Sequence, residues 1–140
     1  MDENISQIAA WSISFEGSIT WGKSKKQFQP QIYISNTDKI LLEKFRDLVG
    51  MGKIYPKNHV YLYKKGWNPQ WRWGLNNLKE VHMFLEKIIP YLPSKNERAQ
   101  LIYNLCDMRL KHKHEPYSDE EKILINKILS LQKSKTNLES

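Results

Sequence analysis

Hydrophobic residues along the chain change their spacing several times, from a helical period to alternation and back. Residues 4–16 carry an apolar or small side chain every three to four positions, as one face of a helix does, and Asn4 is a candidate cap. Residues 18–21 and 31–35 alternate apolar and polar side chains, as strands do, on either side of a polar turn. The sequence therefore predicts a helix that ends at Gly17, followed by a β-hairpin. The predicted stripe on the helix consists of Ile5, Ile8, Ser12 and Phe15.

A second helix and a second strand pair follow. Residues 35–38 are typical of a helix start, and Gly50 ends that helix. Residues 53–63 and 70–74 have the composition of two further strands, with a glycine- and proline-containing turn between them. The order helix, strand pair, helix, strand pair predicts one antiparallel sheet.

The remaining sequence is helical in pattern. Asn77 is a candidate cap for a third helix, and residues 94–97 and 118–121 have the spacing of capping boxes for two more. Helices that cover one face of an antiparallel sheet define an α+β fold, with the other sheet face left open. We interpret residues 1–132 as a single domain and residues 133–140 as a polar C-terminal tail.

Composition excludes several classes of protein. The single cysteine, Cys106, rules out a disulfide framework and a zinc site built from cysteines. The longest apolar runs are far shorter than the roughly 20 residues that span a bilayer. The acidic, polar first residues do not resemble a secretory signal, so we expect the cytoplasm of a prokaryote, in association with the nucleoid, or an organelle.

Positive charge is concentrated in the strand segments. The formal net charge is +7, and the windows 17–37 and 52–75 contain eight basic residues and no acidic residue. The rest of the chain therefore carries a net charge of −1. A surface that binds a polyanion needs such an exclusion, because a misplaced carboxylate would repel phosphate. The charge pattern favours a nucleic-acid partner over a membrane or a small-molecule substrate.

A two-stranded ribbon fits the major groove of duplex DNA, so the open sheet face is the expected contact surface. Lysine and arginine can meet phosphates or guanine edges, and glutamine can pair with adenine. The candidate DNA-binding residues are Lys23, Lys25, Lys26, Gln29, Gln31, Tyr33, Lys53, Tyr55, Lys57, Lys64, Arg72 and Trp73.

Four segments together resemble a known family. Residues 9–19, read as Ala-Ala-Trp-Ser-Ile-Ser-Phe-Glu-Gly-Ser-Ile, resemble a divergent form of the motif of LAGLIDADG homing endonucleases. Residues 34–38 with the following Leu-Leu-Glu-Lys-Phe, residues 50–54 and residues 90–101 resemble later segments of that family, in the family's order and spacing. The resemblance covers about residues 5–108.

The resemblance implies an αββαββα fold with a saddle-shaped sheet along the DNA major groove. The additional C-terminal helices are predicted from the sequence pattern and not from the resemblance. It implies site-specific double-strand cleavage of DNA with Mg²⁺ or another divalent metal. Because one copy of the motif is present, it implies a homodimer that acts on a long pseudo-palindromic target. Two motif helices then pack through small positions, and the implied dimer interface consists of Ala9, Ala10, Ser12 and Ile13.

The resemblance also implies an active site. Glu16 is the acid that ends the motif, and its carboxylate with the carbonyl of Phe15 corresponds to the metal ligands. Asn36 stands where the family has a polar residue that orients water, and Lys95 matches the active-site lysine. The expected catalytic residues are therefore Glu16, Asn36 and Lys95.

Other functions fit the same scaffold. An RNA maturase that assists intron splicing would keep the basic sheet without needing paired acids. A sequence-specific DNA-binding regulator would bind without cutting. A basic nucleoid protein would bind without sequence preference, although the patterned aromatic residues make this reading weaker than the endonuclease.

Overall fold

The protein is described by a computed structural model. The structure describes residues 1–24, 27–57, 69–113 and 115–139, with backbone alone for 23, 24, 27, 28 and 133–139. Within these ranges no helix has both the length and the apolar character needed to cross a membrane. The predicted α+β architecture is confirmed: an antiparallel four-stranded sheet has helices packed on one face.

The first helix and hairpin form a continuous unit. Helix α1 spans Glu3–Glu16, and Asp2 rather than Asn4 caps it, by accepting a hydrogen bond from the Ile5 N–H at 2.8 Å. Strands β1 (Gly17–Ser24) and β2 (Gln27–Asn36) follow directly and pair along their whole length. Both strands are longer than the sequence predicted, because pairing recruits polar residues that have no alternating pattern of their own.

The second helix and strand pair complete the sheet. Helix α2 spans Lys39–Val49 and ends at a left-handed Gly50. Strands β3 (Lys53–Pro56) and β4 (Trp71–Leu75) pair with each other, and β4 also pairs with β2, which gives the order β1-β2-β4-β3. The predicted strand over 53–63 therefore ends at residue 56 in the described part, and residues 58–68 lie outside it.

Three helices follow the sheet. Helix α3 spans Leu78–Ile88 and is capped by Asn77, as predicted, and a short 3₁₀ turn covers Ile89–Tyr91. Helix α4 spans Asn96–Lys111, and helix α5 spans Asp119–Glu139, which carries the helical backbone into the predicted polar tail.

The two predicted capping boxes have different outcomes. Ser118 and Glu121 exchange hydrogen bonds of 3.0 and 3.2 Å and form the predicted box. The box predicted at residues 94–97 is absent, because α4 starts after Lys95 in the left-handed conformation and no side chain caps it.

Edge strand β1 is covered by side chains from the C-terminal helices. Gln132 accepts a hydrogen bond from the Trp21 N–H at 2.8 Å and donates one to the Trp21 carbonyl at 3.3 Å. Arg98 donates to the carbonyl of Ile19 at 3.2 Å. These contacts satisfy backbone groups that an edge strand would otherwise present to another chain.

A buried ion pair joins α4 and α5. Arg109 contacts the carboxylate of Glu121 at 3.1 Å, and Glu121 is only 1% exposed. Burial raises the pKa of Glu121, but the Ser118 N–H and the Arg109 guanidinium lower it by more, so its net pKa lies below the usual value. The pair is therefore ionised in the folded protein near neutral pH.

Candidate functional site

The end of α1 brings two of the predicted catalytic residues together. Glu16 is the last residue of α1, and its side chain is exposed. Glu16 and Asn36 line one small cavity of about 130 Å³, with Ser12 on α1 and apolar residues of β2 and α2 as the other walls. Residues 20 positions apart in the sequence thus meet because β1 and β2 fold back on each other with Gly17 opposite Ile34.

Gly17 is required for this close approach. A Cβ atom at this position would come within 3.0 Å of both Ile13 and the Tyr33 carbonyl. The absence of a side chain lets the chain pass from helix to strand in one residue. The Glu16 carboxylate is therefore held at the junction of α1 with the sheet.

Asn36 is fixed by a local hydrogen bond. Its Oδ1 accepts from the Asp38 N–H at 2.8 Å, an Asx turn that precedes α2. Asp38 in turn caps α2 by accepting from the Leu41 N–H at 3.0 Å. Because Oδ1 is held in this way, the amide NH₂ of Asn36 is the group best suited to donate to a ligand.

Lys95 also reaches the end of α1. Its Nζ donates to the carbonyl of Gly17 at 2.6 Å and to the carbonyl of Ile13 at 3.0 Å. These carbonyls belong to the last turn of the helix and the residue after it, where the helix dipole is negative. The ammonium group of Lys95 thus offsets that dipole at the helix end that carries Glu16, whose carboxylate is by itself unfavourable at a helix C-terminus.

The predicted dimer interface is wrong for three of its four residues. Ala9, Ala10 and Ile13 are fully buried within the chain's own core. The small side chains of Ala9 and Ala10 let α1 pack closely on β1 and α3, and Ile13 fills the core beside them, so this face is used internally. Ser12 is half-buried at the edge of the outer face, and its hydroxyl donates to the Ile8 carbonyl at 2.8 Å.

The outer face of α1 carries the larger apolar side chains. Ile8 is 49% exposed, Trp11 50% and Phe15 76%. The rings of Trp11 and Phe15 stack with their centres 5.8 Å apart. Glu16 ends this same face, and the face borders the cavity that contains Asn36. Two members of the predicted stripe, Ile8 and Phe15, therefore point away from the core.

The open face of the sheet carries most of the described DNA-binding candidates. Ile32 and Ile34 of β2 point into the core, so the intervening positions point outward. On β4, Arg72 is outward, with its guanidinium 4.0 Å from the ring centre of Tyr33. Arg72 Nε donates to the Ser35 hydroxyl at 3.2 Å. The candidates that share this face are Gln29, Gln31, Tyr33, Lys53, Tyr55 and Arg72.

Trp73 is a wrong prediction. Its side chain is fully buried, its ring meets Phe45 edge-on at 4.8 Å, and its Nε1–H donates to the Met51 carbonyl at 3.0 Å. Because strand residues alternate between faces, the position next to outward Arg72 must face inward. Gly52 packs directly on the indole, where a side chain would collide with it.

Other lysine candidates are described less completely or not at all. Lys25, Lys26 and Lys64 lie outside the described residues, and Lys23 is described by its backbone alone. Lys57 is half-buried just after β3, and its N–H donates to the Gln70 carbonyl at 2.9 Å. Their contact with DNA stays a prediction.

Sequence reasoning missed one residue on the open sheet face and one on the outer face of α1. Ser35 holds the Arg72 side chain, and Trp11 forms the centre of the exposed α1 face. The signal for Trp11 was present, since α1 has small residues on one side and large apolar residues on the other. A helix with two apolar sides has a second partner besides its own core.

The described part of a single chain offers few ligands for a metal ion. Among the residues that the structure covers, no three His, Cys, Asp or Glu side chains are grouped to hold one. The exposed Glu16 carboxylate and the carbonyl of Phe15 beside it are oxygen donors of the kind that Mg²⁺ accepts together with water and phosphate. The end of α1 in one chain thus offers two such oxygen donors.

Solved structures of homing endonucleases have the same fold. The homing endonuclease I-CvuI in complex with its target in the presence of calcium is 17% identical, with a TM-score of 0.71 over 92% of this chain and 82% of that chain. An archaeal intron-encoded homing endonuclease complexed with DNA is 17% identical, with a TM-score of 0.64 over 81% and 74%. The meganuclease I-AabMI, bound to uncleaved DNA, is 21% identical, with a TM-score of 0.66 over 90% of this chain and 43% of that one.

The fold is thus that of the LAGLIDADG homing endonucleases, as the sequence predicted. The LAGLIDADG-like domain family matches residues 14–89, which include the end of α1, the whole sheet and α3. The chain belongs to this family. No curated protein matches it.

Proposed function

We propose that this protein is a site-specific DNA endonuclease that cuts both strands of a long pseudo-palindromic duplex as a homodimer with a divalent metal. The observation that carries the proposal is the meeting of Glu16 and Asn36 in one cavity beside the exposed face of α1. A carboxylate that binds a divalent ion, beside a fixed amide, is suited to a phosphodiester.

The dimer is supported by the chemistry of α1. One chain provides a single carboxylate at the site, whereas hydrolysis assisted by Mg²⁺ uses several oxygen ligands. The face of Ile8, Trp11 and Phe15 is apolar, exposed and continuous with Glu16. Packing of this face against the same face of a second copy would bury these side chains and bring two Glu16 carboxylates to a two-fold axis.

DNA contact is supported by the open face of the sheet. Arg72 presents a guanidinium that Ser35 and the Tyr33 ring hold in one orientation, which favours bidentate contact with guanine. Gln31 lies on the same face and has the donor and acceptor that pair with adenine. Solved relatives are complexes with DNA, which supports the same partner here.

The metal would be held by the Glu16 carboxylate and the Phe15 carbonyl of each copy. When bound, a divalent ion supplies charge neutralisation at the phosphate and a water of lowered pKa. Glu16 would hold it, and the apolar side chains around the cavity would keep bulk water out. Removing metal with a chelator is expected to abolish cleavage and to leave DNA binding largely intact.

Two further residues would have distinct roles. Asn36 cannot take up a proton at neutral pH, so it would orient water or a phosphate oxygen through its NH₂ group. Lys95 donates to two carbonyls at the end of α1, so it would act mainly as a positioning residue that sets the direction of Glu16. A DNA substrate would place the protein with the genome, in a prokaryotic nucleoid or an organelle.

The test is incubation of the protein with a library of duplexes and Mg²⁺, followed by sequencing of the cut ends. Wild type is expected to cut one sequence, and Glu16→Gln is expected to bind that sequence and leave it intact. Glu86→Gln on α3 is a matched control with the same chemical change at an exposed position away from the site, and it should cut as wild type does.

The alternative functions give different results. Tight binding to one duplex without cleavage by wild type would overturn the endonuclease and favour the DNA-binding regulator. Preference for a folded RNA over every duplex, unchanged by Glu16→Gln, would favour the maturase. Equal binding to all duplexes would favour the basic nucleoid protein.

A further inference from the structure

A second polar cavity lies at the opposite end of the sheet from Glu16. It has a volume of about 420 Å³ and opens where β4 has ended and β2 is paired with β1 only. Gln29, on the open face of the sheet, is one wall, and the turn from β4 into α3 is another. The third wall comes from the end of α4 and the segment that leads to α5. The polar and charged lining residues are Gln29, Asn76, Asn77, Arg109, Lys113 and Tyr117.

Arg109 holds Lys113, Glu115 and Tyr117, three described residues that follow α4. Arg109 donates to the carbonyls of Lys113 and Glu115 at 3.3 and 3.0 Å, and its guanidinium lies 4.6 Å from the ring centre of Tyr117. The buried ion pair with Glu121 fixes Arg109 in turn. A ligand bound here would therefore meet a preorganised backbone and would cost little ordering entropy.

The charge at this cavity is positive. No acidic side chain is among its lining residues. The positive charge of Arg109 is balanced by Glu121, whereas Lys113 is exposed and makes no ion pair with any described residue. Glu115 is exposed, lies 3.1 Å from His112 and is outside the lining of the cavity. Carboxamide groups around one unbalanced ammonium are suited to a phosphate.

We propose that this cavity holds a backbone phosphate of the DNA that lies along the open sheet face, outside the site of cleavage, with Lys113 as its cationic contact. The inference rests on the proposed function and adds a contact that lies beyond the part of the chain matched by the family, residues 14–89. Such a contact would anchor each end of the protein on the duplex without reading its sequence.

The position of the contact can be estimated along the strands. Gln29 pairs with Gly22, five residues along β1 from Gly17, and each strand residue advances about 3.3 Å. The cavity thus lies about 17 Å from the end of α1, which corresponds to at most about five base pairs at 3.4 Å each. Lys113 would therefore reach a phosphate about five base pairs outside the cut.

The test compares Lys113→Ala with Lys111→Ala, on the cut sequence recovered from the library and without divalent metal. Both variants lose one positive charge, but Lys111 is already paired with Asp107 at 3.1 Å. We expect Lys113→Ala to weaken binding roughly three- to tenfold and to reduce the slope of log affinity against log salt by about two, one per copy of the dimer. We expect Lys111→Ala to change affinity less than twofold.

A trimmed duplex localises the effect. When fewer than about five base pairs remain outside each cut, wild type and Lys113→Ala should bind equally well. Equal effects of the two variants on the full duplex, or a Lys113→Ala effect that survives trimming, would overturn the inference. Cleavage by wild type would still support the proposed function in that case. If the proposed function itself is wrong, wild type will fail to cut any duplex, which is a separate observation.

Discussion

Removal of the Trp11 side chain tests whether the outer face of α1 joins two copies. Trp11 is 50% exposed in a single chain, so Trp11→Ala removes about 125 Å² of contact within the chain and should lower the free energy of unfolding by at most about 3 kcal/mol. In a dimer the same side chain would become buried in both copies. Denaturant unfolding of each variant, measured beside its association, therefore separates the effect on the dimer from the effect on folding.

The size of the effect follows from the exposed area. A tryptophan buries up to about 250 Å², so half-exposure leaves about 125 Å² per copy and about 250 Å² per dimer. At about 25 cal/mol per Å² this sets a ceiling of about 6 kcal/mol on the loss of association energy. Buried area overestimates the free energy of association, so we expect a loss of about 3 kcal/mol, which is about 100-fold in dimer affinity.

The assay is sedimentation velocity over a concentration series, with and without the recovered duplex. Ile123→Ala is the matched control, since Ile123 is an apolar side chain that is 54% exposed on α5. Wild type and the control should dimerise alike, and Trp11→Ala should remain monomeric at concentrations where they do not. An unchanged dimer constant for Trp11→Ala would show that another surface joins the copies.

Three further predictions concern stability and reactivity. The lowered pKa of Glu121 means that its pairing with Arg109 stabilises the fold above the ordinary carboxyl pKa of 4.5 and is lost as the pH falls through the lower folded value. Denaturant titrations from pH 7 to 3 should show this loss, and an equally steep loss in Glu121→Gln would contradict it. Gln132→Ala leaves two backbone groups of Trp21 without their side-chain partner and should cost about 1–3 kcal/mol in the free energy of unfolding; a cost near zero would show that water replaces the amide. Burial raises the pKa of Cys106 to about 12, so a thiol reagent at pH 8 should label it only as fast as the protein unfolds, and rapid labelling of the native state would refute this.

Periodicity predicted the order of the elements well, because each element has a strong local signal. Alternation marked the first hairpin, and Asn77 and the pair Ser118/Glu121 cap their helices as expected. Strand ends were predicted less well. Residues such as Gln29 enter a strand because β1 pairs with them, and that pairing has no local pattern.

Which side of a helix or strand packs on the core was harder to predict than the helix or strand itself. The resemblance implies that Ala9 and Ala10 of α1 face a second copy, but they face the core because only small side chains allow the helix to approach the sheet closely. For Trp73 the error was one of alternation, since a shift of one residue moves a side chain to the opposite face of the sheet. Both errors arise because a single helix or strand does not show which of its faces has a partner.

The contacts at the candidate site could be predicted only in part. The family motif identified Glu16, and the structure brings Asn36 to the same cavity. The contact of Lys95 with the carbonyls of Ile13 and Gly17 joins positions about 80 residues apart in the sequence. Nothing in the local sequence around Lys95 indicates that its ammonium group closes the end of another helix.

A crystal structure of the protein with the recovered duplex and Ca²⁺ tests the central claim most directly. The account predicts two copies related by a two-fold axis, with Trp11 and Phe15 at the contact, both Glu16 carboxylates next to the scissile phosphates, and Arg72 in the major groove. First helices that lie far apart, or an open sheet face turned away from the duplex, would contradict it.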